Sequence, residues 1–205
     1  MSSKKDAFFW LGCLAVLVLA FDIFANLSDW TELLWFCSVT TGLLAYSLFR
    51  KNALMMTICL VLAVPAQSVW VYDFILQLMG KGMGRTAMLV PCGPFIFWGS
   101  VVIHTFLIPV SLWGVWRLGF HRKALLWAMG YGAALLMASY YWTPAAKNVN
   151  CVFYHCDVDD PGGGYWAHFW FQTMAHWAVI VPVSFGIFRV LFMKRLYEEQ
   201  HADHT

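Results

Sequence analysis

Several stretches of about 20 residues in this chain lack internal charge, and each is long enough to cross the hydrocarbon core of a bilayer as a helix. In lipid every backbone N–H and C=O must be satisfied inside its own segment, so such runs predict an all-α, polytopic bundle. The candidate spans are residues 8–26, 31–49, 53–79, 88–116, 124–142 and 165–192, about six transmembrane helices in one domain over 1–205. Composition agrees, because a chain that is 61% hydrophobic and 12% charged carries more apolar surface than a soluble core can absorb. The N-terminal run resembles a signal peptide in having Lys4 and Lys5 ahead of it. No small-residue cleavage site stands out before Trp30, so it is read as a retained first helix.

The basic residues give the bundle a direction. With the N-terminus in the cytoplasm, ten of the thirteen fall inside, namely Lys4, Lys5, Arg50, Lys51, Arg117, Arg122, Lys123, Arg189, Lys194 and Arg195. Lys81, Arg85 and Lys147 fall outside. Both termini are therefore expected in the cytoplasm, with residues 27–30, 80–87 and 143–164 external. Their scatter in short clusters, with a net charge of +2, argues against nucleic acid as a partner and leaves membrane lipids as the expected one. Nothing in the residues names a protein partner.

The loop at about 143–164 is the longest external segment and the one stretch that could form a soluble lid. It carries Asp157, Asp159, Asp160, Pro161, three glycines and two cysteines. Trp30, Trp70, Tyr140, Tyr141, Trp142, Tyr165 and Trp166 crowd the outer boundary and read as interfacial anchors. Cys13, Cys37 and Cys59 fall inside apolar stretches, whereas Cys92, Cys151 and Cys156 can meet an aqueous compartment and are the disulfide candidates.

Polar side chains at membrane depth are costly unless they face the bundle interior, so each is a functional candidate. Asp22, Glu32, Cys37, Ser38, Thr40, Thr41, Gln67, Ser68, Asp73, Ser100, His104 and Thr105 are of this kind. So are His168, Gln172 and His176, an i, i+4, i+8 series along one helical face. Counting turns from the outer boundary puts them at similar depths, as one shared outer-leaflet pocket requires.

Four chemistries suit such a pocket. A thiol beside an imidazole becomes a nucleophile, so Cys37 with His104, oriented by Asp73 or Glu32, suits acyl transfer or lipid hydrolysis. Gln172 or His176 would support an oxyanion, and Glu32, Thr41, Gln67, His168, Gln172 and His176 would line the substrate pocket. Alternatively His104 and His176 could bind haem iron axially, or the histidines a quinone, in a subunit of an electron-transfer complex. A metal could sit among His104, His168, His176 and a carboxylate, although no compact ligand spacing marks one. Cys92, Cys151 and Cys156 could exchange disulfides, the last two at C-x4-C spacing. A binding or transport protein without turnover is the non-enzymatic alternative, but the paired interrupted segments of a repeat are not visible. No cofactor is expected under the acyl reading.

The segment "ELLWFCSVTTGLLAYSLFRKN" resembles the cysteine-bearing helix of the transmembrane acyltransferases and bacterial six-helix integral membrane proteins related to the androgen-induced intramembrane lipid hydrolases. The segment "FIFWGSVVIHTFLIPVSLWGVWRLGFHRKALLW" resembles their histidine-bearing helix. The resemblance spans roughly residues 31–150. It implies an intramembrane nucleophile and histidine acting on lipid acyl chains, carried onto Cys37 and His104, in a bacterial inner (plasma) membrane. It requires the second and fourth helices to pack together.

Overall fold

The computed structural model describes residues 3–27, 29–81, 86, 93–156 and 162–202. Arg85, Cys92, Asp157, Asp159, Asp160 and Pro161 lie outside the described residues. The helices are α1 (Ser3–Ala25), α2 (Phe36–Arg50), α3 (Ala53–Leu78), α4 (Pro94–Leu118) and α5 (Ala124–Trp142). A last rod begins as α6 (Tyr165–His168) and passes through a π-helical turn, Phe169–Thr173, into α7 (Met174–Ala202). No strand occurs among the described residues.

Five of these, not six, are long and apolar enough to cross a membrane: Ala7–Ala25, Ala53–Leu78, Pro94–Leu118, Ala124–Trp142 and Tyr165–Phe192. The exception is the expected span at 31–49, which divides into a 3-10 turn (Trp30–Leu34) and the 15-residue α2. At about 1.5 Å per residue, α2 alone is shorter than the hydrocarbon core. The break falls at Trp35, whose backbone is extended (φ −60°, ψ 142°). A tertiary contact helps to hold it there, since Asn150 from the distant α5–α6 loop accepts a hydrogen bond from Phe36 N at 2.9 Å, a side-chain cap supplied from another part of the chain. Residues 88–92 of the fourth expected span lie outside the described residues; α4 runs from Pro94, where the proline's missing N–H costs nothing and Gly93 at φ 96° makes the turn.

α3 is the central element, packed against α2, α4, α5 and α7, and α1 lies across α2 and α4. α2 and α4 touch, as the Cys/His resemblance requires. Leu44, Leu48, Met56, Leu60, Ile103, Leu107 and Val115 form the main core, while Trp10, Leu14, Leu17, Phe24, Leu126 and Val190 point outward, as lipid-facing residues do. Small residues let the rods approach: a Cβ at Gly132 of α5 would fall inside the Trp177 ring of α7, and one at Gly114 of α4 would meet Met56 of α3.

The described part of the loop after α5, residues 143–156, is a packed plug, whereas the sequence left room for a soluble lid. Val149 and Val152 are fully buried, and Phe153 stacks against Tyr140, which also stacks on Phe169. Asn148 and Asn150 do the polar work. Asn148 accepts from Phe153 N and Tyr154 N and donates to the Tyr154 carbonyl. Asn150 donates to the Leu34 carbonyl and to Ser139 Oγ, both at 2.8 Å. Both asparagines and Cys151 hold positive φ (43°, 56° and 55°), a conformation that Asn tolerates better than most side chains. Cys151 and Cys156 are joined as a disulfide, one of the pairings the sequence allowed.

Candidate functional site

The rods leave between them a cavity of about 710 Å³, within the size range of small-molecule pockets. Its wall draws on every part of the fold: Asp22 of α1 and Asn26 just after it, Glu32 and Trp35 of the 3-10 turn and its break, and Phe36, Cys37 and Ser38 of α2. α3 contributes Pro65, Gln67 and Trp70, and α4 contributes Ser100 and His104. The plug adds Asn150, His155 and the Cys151–Cys156 disulfide, and the last rod adds His168, Gln172, Thr173, His176 and Trp177.

Most of the residues singled out from the sequence therefore meet in one place. Cys37, His104, Glu32, Gln67, His168, Gln172 and His176 all line the cavity. Two do not. Thr41 is buried, one turn below the wall, and its hydroxyl donates to the Cys37 carbonyl at 2.7 Å. Asp73 is buried too, but its Oδ2 accepts from the Thr86 backbone N (2.8 Å) and hydroxyl (3.0 Å), so it holds the α3–α4 connection instead of orienting a histidine.

His104 is oriented by other means. Its Nδ1 lies 2.7 Å from the Ser100 carbonyl oxygen one turn back. A carbonyl only accepts, so the neutral ring carries its proton on Nδ1 and keeps the Nε2 lone pair for chemistry. The ring face is covered by Trp70, stacked with centroids 4.2 Å apart. Among the described residues the hydrogen-bond partner of the Cys37 thiol is Ser38 Oγ at 3.9 Å, and no bond joins it to His104. The two groups share the cavity space, which a bound molecule could bridge.

The mouth is held by charge. Glu32 accepts from Trp35 Nε1 at 2.8 Å, and Lys147 of the plug bridges Asp29 (2.7 Å) and Glu32 (3.6 Å). The hydrogen bond from Lys147, then that from Thr31, lowers the Asp29 carboxyl to about 2, and the same contact with Asp29 raises the Lys147 ammonium above its usual range.

The π turn modifies the expected polar stripe. An extra residue in one turn rotates the remainder of the rod, so Thr173 and Trp177 join His168, Gln172 and His176 in the wall. His168 Nε2 bonds the Cys151 carbonyl at 3.1 Å and its ring meets His155 edge to face, which ties α6 to the plug. Among the described residues no group of three or more His, Cys, Asp or Glu side chains is close enough to hold a metal ion.

Several wall residues escaped the sequence reading. Trp70 reads as an interfacial anchor, yet it covers His104, and Tyr140 packs inward in the same way. Asn150 and His155 sit in what looks like an irregular polar loop. The one local signal was the pair of asparagines in "KNVNC", residues that favour tight left-handed turns. Pro65 inside α3 was a second unused signal, since it removes the helical bond to the Val61 carbonyl, and both residues line the cavity. Comparison of the chain with protein-family models, with curated proteins and with solved structures finds no match.

Proposed function

We propose that this protein is a membrane-embedded enzyme acting on the acyl chains of lipids, with Cys37 as nucleophile and His104 as its general base. The observation that carries the reading is that Cys37 on α2 and His104 on α4 line the same large, mainly apolar cavity, with the Nε2 lone pair of His104 available. His104 Nε2 would take the thiol proton as sulfur attacks an ester carbonyl, then return it to the departing alkoxide. The resulting thioester is resolved by water in hydrolysis or by the hydroxyl of a second lipid in transfer. The Ser100 carbonyl would orient the base in place of Asp73 or Glu32. Gln172 or His176, both in the wall, would support the oxyanion.

The distribution of basic residues supports a cell-membrane protein with both termini cytoplasmic and lipid entering laterally from the outer leaflet. The test is labelling with a lipid-like, thiol-reactive electrophile such as a long-chain alkyl chloromethyl ketone. Label on Cys37 in the native protein, lost in Cys37→Ala and slowed at least about a hundredfold in His104→Ala, is the expected result. Label that survives Cys37→Ala would exclude it as the labelled nucleophile. A Soret band in the purified protein would instead favour axial ligation by His104 and His176, which share the same cavity.

A further inference from the structure

Among the described residues four buried side-chain atoms have no hydrogen-bond partner, and two of these, Asp22 Oδ2 and Gln67 Oε1, belong to residues that line the cavity. Gln67 is 3% exposed, so water outside the bundle does not serve it. Asp22 Oδ1 accepts from Asn26 Nδ2 at 3.2 Å and the Ser38 hydroxyl lies against the same carboxyl, but no donor reaches Oδ2 within hydrogen-bond distance. Both orphans are acceptors, and a buried acceptor without a donor forfeits the hydrogen bonds it made to water in the unfolded chain. Two in one cavity are a demand for a donor-bearing molecule. The charges agree: the wall holds the carboxylates of Asp22 and Glu32 and, among the described residues, no Lys or Arg. Lys147 reaches Glu32 from outside the wall at 3.6 Å, so an anionic group would meet its like charge chiefly at Asp22, with no Lys or Arg in the wall to offset it.

We infer that the ligand of this cavity is an amphiphile whose polar head carries at least two hydrogen-bond donors and no negative charge, a vicinal diol or an ammonium, held between Asp22 and Gln67. The inference rests on the lipid reading of the cavity and names its substrate class. Trp35, Trp70 and Trp177 give the head aromatic faces, and the apolar remainder of the wall suits a single chain. A head composed only of acceptors, such as a phosphodiester or an ether, would leave both oxygens unserved.

The experiment uses the full chain in detergent with Cys37→Ala, so that binding is read without turnover. Tryptophan fluorescence is titrated with a long-chain 1-O-alkylglycerol, the matching primary alkylamine, the dimethyl ether of the alkylglycerol and the alkyl phosphate. The diol or the amine should bind about tenfold tighter than the dimethyl ether, with the phosphate weakest. Gln67→Leu and Asp22→Leu should each bring that ratio close to one. Gln67→Met and Asp22→Ala give the same reading if the leucine variants do not fold. Which of the diol and the amine responds to Asp22→Asn, which removes charge but keeps an acceptor, separates a polyol head from an ammonium. Equal affinity for ether and diol and amine, tight phosphate binding, or a ratio that persists in the variants would overturn the inference. Donor preference without Cys37 labelling would retire the catalytic reading alone, and Cys37 labelling without donor preference would retire this one alone.

Discussion

The indole of Trp70 lies on the imidazole of His104 with the planes 23° from parallel, so one side chain from α3 sets the position of a ring carried by α4. Ring pairs of this kind are worth about 0.5–1.5 kcal/mol beyond their buried area. Trp70→Phe should keep most of the rate of Cys37 labelling, and Trp70→Ala should slow it about tenfold as His104 gains rotational freedom. The check is the labelling rate against pH in each variant. A rate unchanged in Trp70→Ala would show that Ser100 alone is enough to hold the ring.

Asn150 joins three elements through one amide, accepting from Phe36 N and donating to Leu34 O and Ser139 Oγ. Asn150→Ala removes all three bonds and places a Cβ-bearing residue without local polar compensation at φ 56°. The expected loss is about 3 kcal/mol of stability, read as a lower thermal midpoint in detergent. Asn150→Gly removes the same bonds but relieves the backbone, so it should fall between wild type and Ala. Equal losses in both would assign the whole effect to the hydrogen bonds.

Gly132 and Gly130 lie two residues apart on α5 and face different surroundings. A Cβ at 132 would collide with the Trp177 ring, and one at 130 meets nothing within 4 Å. Gly132→Ala is expected to cost about 1–3 kcal/mol and to disturb the wall that Trp177 forms. Gly130→Ala should be neutral or stabilising by up to about 1 kcal/mol, from helix propensity alone. Paired unfolding curves of the two variants test the packing of α5 on α7. Similar curves would mean that α5 and α7 leave room for a methyl group at position 132.

The Asp29–Lys147 bridge predicts a plateau in pH. The Asp29 carboxyl titrates in the folded protein at about 2, below its ordinary 3.8, so its contribution is complete above about pH 4 and is lost as pH falls through 2. Lys147 is raised, so its contribution is complete below the ordinary 10.5 and is lost as pH rises through the higher folded value. The rate at which protease nicks the plug should therefore be flat between these limits. Asp29→Asn should raise it across the plateau, by a margin that shrinks in high salt because both groups reach solvent. A margin that does not respond to salt would assign the protection to the Thr31 cap instead.

The all-helical architecture was legible because backbone satisfaction in lipid is a local rule, which hydropathy over about 20 residues reports directly. The same rule picked out the costly polar residues, and most of them converge on one cavity. It failed where a distant residue supplies the missing bond. Asn150 caps α2 from 114 positions away, so the expected span at 31–49 could break at Trp35 without leaving Phe36 N unpaired. Asp73 is the opposite case, a carboxylate at the expected depth whose partner, Thr86, turns it away from the cavity. Depth along a helix is set by counting residues. Which neighbour a side chain meets at that depth depends on how the rods pack and how the plug folds over them, and there only the tertiary structure placed Trp70 on His104 and left Asp22 and Gln67 with oxygens still to be served.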